Sequence, residues 1–304
     1  RNLFGGGERL TLNGDITNIG VQSGGADFNL GIKLDRPATF TPDTTASFAV
    51  TYGKMNEADY DADLFGATVS LAHVFSDSLS GKAGLSYDYA AITDPLGNST
   101  YRALSLPISL IWDRRDSKTD ATRNIYAEAE VKPFLGFGIT DSGVRIKADL
   151  RGYKALGADR GFVLAARVQA GAVLGASLMG TPRDYLFYSG GGGTVRGQPY
   201  QSLGVSVLRS AVGTQFQTGG KTFVGGSVEA RMKVTDSIGL VGFVDVGRVD
   251  ANNFFSDFGG WHAGAGLGVR YATAVGPIRL DLAAPVGGNT GDGMQIYVGL
   301  GQSF

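Results

Sequence analysis

The chain has 304 residues, 43% of them hydrophobic and 18% charged, with a formal net charge of −1 at pH 7 and a mean hydropathy of +0.01. The near-neutral charge argues against a nucleic-acid-binding surface, and the lack of cysteine excludes disulfides, thiol catalysis and Cys-ligated zinc. No window approaches the roughly 18 consecutive apolar residues of a membrane-spanning helix, whereas the alternating strands of a membrane β-barrel average to this neutral hydropathy.

Alternation of apolar and charged residues runs through most of the chain. Val144, Ile146 and Leu150 fall on one strand face, for example, while Arg145 and Lys147 fall on the other. The pattern predicts about fourteen strands of the length that tilted membrane strands need. They cover residues 9–19, 26–35, 46–54, 63–75, 79–89, 101–113, 125–134, 144–153, 161–174, 221–234, 239–249, 261–271, 276–285 and 295–304. Since one face carries charges through the middle of long strands, we predict an all-β fold, an antiparallel transmembrane β-barrel.

Two of the connectors are long. The first contains the sequence DRRDSKTDATR, and the second, residues 175–220, contains GGGGTVRGQPYQSLG. A phosphate-binding cradle would need a Lys-Ser/Thr pair after the glycines and a strand-loop-helix context, which the sequence lacks. The alternatives are a flexible surface loop and a loop whose glycines allow close backbone approach while it presents Arg196 to a partner.

The last predicted strand places Gln295, Tyr297 and Gly299 on one face and ends on the aromatic residue Phe304. An aromatic closing strand is typical of outer-membrane barrels, in which the last strand must pair so that no edge is left open.

Several motifs, in this order along the chain, resemble the BamA/TamA superfamily of outer-membrane insertases and two-partner secretion transporters. They are NLFGGGERL at the start, WDRRDSKTDATRN, GGGGTVRGQPYQSLG, FVDVG, and GPIRLDLAAPV, which is most similar to the penultimate strand of the TamA branch. The resemblance implies a barrel of about sixteen strands that follows periplasmic POTRA domains. We therefore expect residues 1–304 to form the barrel domain and to lack its first two strands and all POTRA domains.

The resemblance also implies site residues, beginning with the family's loop L6, which folds back into the barrel lumen. The motif residues of L6, at residues 175–220, are Gly190, Gly191, Gly192, Val195, Arg196 and Gly197. Arg196 matches an arginine that pairs with acidic wall residues, and Asp245 and Gly247 match the strand motif that receives it. Alternation agrees, because Val244 and Val246 on the lipid side leave Asp245 facing inward.

This chain departs from the family pattern at a few positions. Gln198 replaces the aromatic residue after Val-Arg-Gly, so the ring contact at the loop tip is expected to be missing or to come from Tyr200. Ala121 and Asn124 replace the usual Pro and Gly of the first long loop, which leaves the shape of that loop open.

Other charged residues have plainer interpretations. Asp281 is expected to be a lumen-facing charge without a special partner, with Arg279 beside it. Asp113 and Asp116, among arginines, predict a salt-bridged rim rather than acid-base catalysis.

The expected function is that of an outer-membrane protein that helps insert or secrete autotransporter-type and other barrel proteins. His73 and His262 are far apart in sequence, and we interpret them as interface or lumen residues. No nucleophile-base set and no metal-ligand cluster is evident, so neither enzyme activity nor a cofactor is expected. The expected partners are client outer-membrane proteins, the lipid bilayer and, from the resemblance alone, a TamB-like inner-membrane-anchored protein. The alternatives are a two-partner secretion transporter for one dedicated exoprotein and a passive pore.

Overall fold

The strands were assigned in a computed structural model, which describes residues 2, 5–17, 25–56, 60–95, 97–157, 161–209, 214–255, 260–288 and 290–304. Within these residues there are seventeen β-strands and a 3-10 helix at Arg183–Tyr185. The strands are β1 (Arg9–Thr17), β2 (Asp27–Arg36), β3 (Thr44–Asn56), β4 (Asp61–Ser76), β5 (Leu79–Asp94), β6 (Gly97–Ser105), β7 (Ile108–Asp113), β8 (Arg123–Gly138), β9 (Gly143–Leu156), β10 (Phe162–Leu174), β11 (Val205–Arg209), β12 (Thr214–Thr218), β13 (Thr222–Lys233), β14 (Ile238–Asp250), β15 (Gly260–Tyr271), β16 (Ile278–Gly287) and β17 (Gln295–Leu300).

One antiparallel sheet contains fifteen of these strands, in the order β1-β2-β3-β4-β5-β6-β8-β9-β10-β13-β14-β15-β16-β17, with β7 pairing with β5 and β8. Since β6 pairs with the same two neighbours, β6 and β7 share one position in the sheet. The predicted all-β antiparallel barrel class is therefore confirmed. The β11–β12 hairpin stands outside this sheet and was not predicted.

The predicted strand at residues 101–113 is interrupted at Leu106 and Pro107. Proline has no amide N–H to donate to the ladder. The register is nevertheless kept, because the carbonyl of Pro107 accepts from the amide of Gly84 at 3.0 Å and the amide of Leu106 donates to Pro133 at 2.9 Å.

The two faces of the sheet have opposite character. Val228, Val244 and Leu267 on the outer face are 57%, 55% and 73% exposed, whereas Glu229 and Asp245 on the inner face are 0% and 1% exposed. Apolar side chains thus point outward and charged side chains inward, which is the arrangement that a lipid-facing strand requires.

In the described residues, no helix is both long enough and apolar enough to cross a bilayer.

β1 and β17 are the outermost strands of the sheet, and no ladder joins them to each other within the described strands. We call the gap between them the open edge. Three parts of the sequence predictions lie outside the described residues: Asn18 and Ile19 of the first predicted strand, Leu3 and Phe4 of the opening motif, and residues 210–213 of loop L6.

The last strand is shorter than predicted. β17 ends at Leu300, and Gly301 adopts a φ of +84°, a conformation that favours glycine, so the chain turns away from the sheet. The amide of Gly301 donates to the carbonyl of Pro277 at 2.7 Å. Phe304 is only 6% exposed and packs inside the barrel in a cluster with Tyr153. The prediction that Phe304 lies on the closing strand is therefore wrong.

Candidate functional site: a loop seated in the lumen

Loop L6 returns from the end of β10 into the barrel. Two isolated bridges, Phe187 with Gly220 and Ser189 with Leu203, draw its two arms together. At its tip, Val195 is completely buried and Arg196 is 2% exposed. A charged loop tip buried to this degree requires partners on the wall that neutralise it.

Arg196 meets Asp245 of β14 through three hydrogen bonds. Its Nε donates to Oδ2 at 2.7 Å, its Nη2 donates to Oδ1 at 2.9 Å, and its backbone amide donates to Oδ2 at 3.0 Å. The first two form the parallel fork that a guanidinium makes with a carboxylate. The third fixes the backbone of the loop tip, so the loop and not only the side chain is held on the wall.

Two further acids complete the surroundings of Arg196. Nη1 donates to Oε1 of Glu229 on β13 at 2.5 Å and lies 3.5 Å from Oδ2 of Asp281 on β16. The ring of Phe243 lies beneath the guanidinium, 3.6 Å from its carbon to the ring centroid. The expectation that Asp281 has no special partner is wrong, since it also accepts from Nη1 of Arg270 at 2.5 Å.

Glycines on both sides of the contact make room for it. Gly190, Gly191 and Gly197 have positive φ of +112°, +88° and +90°, values that side-chain-bearing residues rarely adopt. On the wall, a Cβ at Gly247 would lie 2.3 Å from the hydroxyl of Ser189, and one at Gly264 would lie on the carbonyl oxygen of Arg196.

Gly264 therefore provides a test of the close contact between the tip of L6 and the barrel wall. We expect Gly264→Ala to displace the loop tip and cost about 1–3 kcal/mol of stability through overpacking. The midpoint of urea unfolding in detergent measures it. Gly152→Ala is the matched control, since a Cβ at Gly152 meets nothing within 4 Å. Equal midpoints for the two variants would contradict the close approach seen here.

Gln198 takes a different role from the aromatic residue that it replaces. It is completely buried, its Nε2 donates to the carbonyls of Ala263 and Gly287 at 2.7 and 3.1 Å, and its Oε1 accepts from Thr290 at 3.0 Å. Tyr200 is 50% exposed, so it does not supply a buried ring at the tip. The amide of Gln198 anchors the loop through hydrogen bonds instead.

β17 contributes a contact as well, through Tyr297. Its hydroxyl accepts from the amide of Gly197 at 3.1 Å and donates to the carbonyl of Gln198 at 3.4 Å. A Cβ at Gly192 would lie 3.3 Å from the same ring. The strand at the open edge is thereby tied to the loop tip. Of the other residues predicted on β17, Gly299 lies opposite Arg279 and Gln295 opposite Ala283 in the β16–β17 ladder.

We expect Tyr297→Phe to lose about 1 kcal/mol of stability, because it removes these hydrogen bonds and keeps the ring. The urea midpoint again measures the loss. Tyr271→Phe on the outer face, where Tyr271 is 55% exposed, should change it less. If both variants unfold at the wild-type midpoint, the hydroxyl of Tyr297 does not stabilise the loop tip.

A second anchor holds the base of L6. Arg183, 2% exposed, donates through Nη2 to Oδ2 of Asp94 on β5 at 2.7 Å and through Nη1 to Thr218 at 2.5 Å. Tyr185 donates to Asp88 of β5 at 2.5 Å. L6 therefore contacts the wall at β5 as well as at β13 and β14. Arg183 and Asp94 were not among the predicted site residues.

The remaining predicted polar residues serve local structure. Asp113 pairs with Arg115 at 2.8 Å. Asp116 instead accepts from the hydroxyl and amide of Thr122 at 2.6 and 2.8 Å. Burial opposes its charge, but these bonds, together with the amide of Arg123, hold the pKa of Asp116 below its ordinary value.

The two histidines lie apart from each other. His262 is completely buried between the hydroxyls of Ser189 and Thr290, each 2.7 Å from a ring nitrogen. The Nδ1 of His73 is 2.7 Å from the hydroxyl of Thr44. Within the described ranges, no three His, Cys, Asp or Glu side chains converge as metal ligands.

The Omp85 superfamily domain matches residues 2–304 of the chain. The chain belongs to the Omp85 superfamily. Solved structures with this fold include BamA from Haemophilus ducreyi lacking POTRA domains 1–3, with a TM-score of 0.77 and 18% identity over 98% of this chain. They also include CdiB from Escherichia coli, with a TM-score of 0.62 and 9% identity over 98% of this chain. CdiB from Acinetobacter baumannii has a TM-score of 0.51 and 12% identity over 95% of this chain. At these identities the likeness concerns the fold. This Omp85 chain spans 64% of the BamA structure and 57% of each CdiB structure.

Proposed function

We propose that this Omp85 protein lies in the outer membrane and inserts or translocates other envelope proteins. The observation that carries the proposal is Arg196 of L6, 2% exposed and held by Asp245 and Glu229. A passive pore does not need a Val-Arg-Gly loop held in its lumen by a wall aspartate. With L6 seated, the unpaired edge of the last strand, β17, is the other part of the barrel that offers binding groups to a polypeptide.

The edge of the last strand, β17, supplies a mechanism by strand addition, and its seam partner in the complete barrel would be the first of the two strands expected before β1. In a bilayer, an unpaired backbone N–H or C=O costs several kcal/mol because no water can replace the missing hydrogen bond. A client strand that pairs with the edge satisfies these groups on both chains. Neither a nucleotide nor a catalytic residue is needed for this step.

The finer proposal is a role like that of TamA, with autotransporter-type barrels among the clients and a TamB-like protein as partner. The similarity of GPIRLDLAAPV, residues 276–286, to the TamA branch supports it. These residues include β16, which carries Asp281 of the loop site and pairs with β17. Periplasmic POTRA domains would provide the contact with such a partner.

A second candidate is a two-partner secretion transporter for one dedicated exoprotein. Its support is that the motifs resemble those of insertases and of two-partner secretion transporters alike. The two CdiB structures, with TM-scores of 0.62 and 0.51, share the fold.

Depletion of the full-length protein in its native cell, followed by quantitative outer-membrane and secretome profiling, tests the proposal. Loss of several barrel proteins is the expected result. Loss of one secreted protein would favour the dedicated transporter, and unchanged protein profiles with altered small-solute uptake would overturn both in favour of a pore.

A further inference from the structure

Two arginines face each other directly on the lumen wall next to the L6 site. Arg270 of β15 and Arg279 of β16 are partners in the β15–β16 ladder. Both point inward, since Val269, Ile278 and Leu280 beside them are 45%, 47% and 45% exposed on the outer face. Like charges directly opposite each other in a sheet repel and destabilise the pair. A group of opposite charge is needed between them.

The neighbouring acids do not fully meet this need. The cluster contains four arginines and three carboxylates, namely Arg196, Arg231, Arg270 and Arg279 with Glu229, Asp245 and Asp281. Within these seven side chains the arginines outnumber the carboxylates by one, and Arg231 also donates to the backbone oxygen of Phe304 at 3.0 Å. Asp281 accepts from Arg270, Asp245 accepts from Arg196, and Glu229 accepts from Arg196 and Arg231.

Several donors of the two opposed arginines lack acceptors. In the described part of the chain, Nη2 of Arg270 and both Nε and Nη1 of Arg279 are buried without a hydrogen-bond partner, as is the acceptor Oδ2 of Asp281. Nε of Arg270, by contrast, donates to Oε1 of Gln302 at 2.7 Å. Arg270 is only 4% exposed, so these donors are not simply turned to bulk water. Buried guanidinium donors without partners are uncommon and call for a missing acceptor.

A cavity reaches one of the two arginines. Gly299 of β17 lies opposite Arg279 and packs closely against it, since a Cβ there would be 2.8 Å from Nε of Arg279. Arg270 also lines a cavity of about 300 Å³ at the barrel end that carries the 234–237 and 272–277 turns. A small ligand can therefore approach Arg270 from that end of the barrel.

We propose that Arg270 and Arg279 form a binding site for a single oxyanion, a carboxylate or a phosphate. The planar fork of each guanidinium matches the two oxygens of either group. The buried donors without partners set the requirement for an acceptor, and the positive charge of both arginines favours an anion. The site does not depend on the proposed function, since a free anion and an acidic side chain of a passing polypeptide supply the same chemistry.

The first experiment titrates inorganic phosphate into the full chain in detergent and follows the midpoint of thermal unfolding at constant ionic strength, with chloride as the compensating anion. A ligand that binds only the folded state raises this midpoint with a saturating dependence on concentration. We expect saturation for the wild type and its loss in Arg279→Gln. Arg151→Gln is the matched control, because Arg151 is a lumenal arginine already paired with Asp149 at 2.7 Å, and it should respond like the wild type. Equal responses in Arg279→Gln and the wild type, or none in either, would overturn the proposal.

A second variant tests the site from within the chain. Gly299→Asp places a carboxylate beside Arg279, so we expect it to fold, to raise the thermal midpoint without phosphate and to abolish the phosphate response. A folded Gly299→Asp protein with a wild-type phosphate response would contradict the assignment. A capped peptide with a single glutamate, compared with its glutamine version, separates the two sources. If the glutamate peptide competes with phosphate and the glutamine peptide does not, the site is assigned to polypeptide carboxylates. If phosphate binds and neither peptide competes with it, the site is assigned to free anions.

Discussion

Replacement of Arg196 by glutamate is expected to abolish assembly activity and to destabilise the barrel. Removing one partner of a buried ion pair costs about 3–5 kcal/mol, because the other charge is left uncompensated. Here the loss would leave Asp245, 1% exposed, without its arginine and Glu229, 0% exposed, with Arg231 alone. The new carboxylate would add repulsion to both. The heat-dependent gel shift reports the stability, and recovery of client barrels in a depleted strain reports the activity.

Lys233 supplies the matched control for that variant. It lies on β13 as Glu229 does and pairs with Asp236 at 2.7 Å, but the two side chains are 56% and 100% exposed. Because solvent screens such a pair, Lys233→Glu should leave the gel shift and the client recovery close to those of the wild type. A normal gel shift and normal client recovery in Arg196→Glu would remove Arg196 from the mechanism. Loss of recovery with a normal gel shift would assign it a role in activity alone.

Much of the sheet follows from the alternation of side chains along the strands. The fourteen sheet positions and their inward and outward faces follow from period two. The break at Pro107 is explained by its missing amide, and the short hairpin β11–β12 is too brief to give a period. The turn at Gly301 escaped prediction because Gly299 and Gly301 look alike in sequence, although only Gly301 has a positive φ.

The loop site was harder to predict, because its contacts join distant parts of the chain. Arg196 and Asp245 are 49 residues apart, and the link between them came from motif resemblance. Glu229 had the same alternation signal as many lumenal charges, and nothing in the strand pattern distinguishes it. Arg183 and Asp94 are separated by 89 residues and lie in no recognised motif. Alternation tells which wall residues face inward, but it does not tell which of them a loop will reach.

The anchor at Arg183 leads to the second large expected effect. Arg183 and Asp94 have side chains only 2% and 4% exposed, so Arg183→Gln should again cost about 3–5 kcal/mol. The two arginine variants should differ in where they loosen the loop. Arg183 donates to Thr218 at the end of β12, so its loss should release the β11–β12 hairpin while Arg196 stays bound to Asp245. Amide hydrogen exchange at residues 205–209 and 214–218 measures that release.

Arg151→Gln is the control for this experiment, because Asp149 keeps Arg167 at 2.7 Å when Arg151 is lost. Faster exchange confined to the hairpin in Arg183→Gln would mean that two separate anchors hold L6, one on β5 and one on β13 and β14. Their energies should then add in the double variant with Arg196→Glu, since sites with no shared partner are additive within about 0.5 kcal/mol. If amide hydrogen exchange in the hairpin is unchanged in Arg183→Gln, Arg183 is not an anchor, and the contact of Arg196 with Asp245 is the one that holds L6. A non-additive double variant would instead mean that the loop leaves the lumen as one cooperative unit.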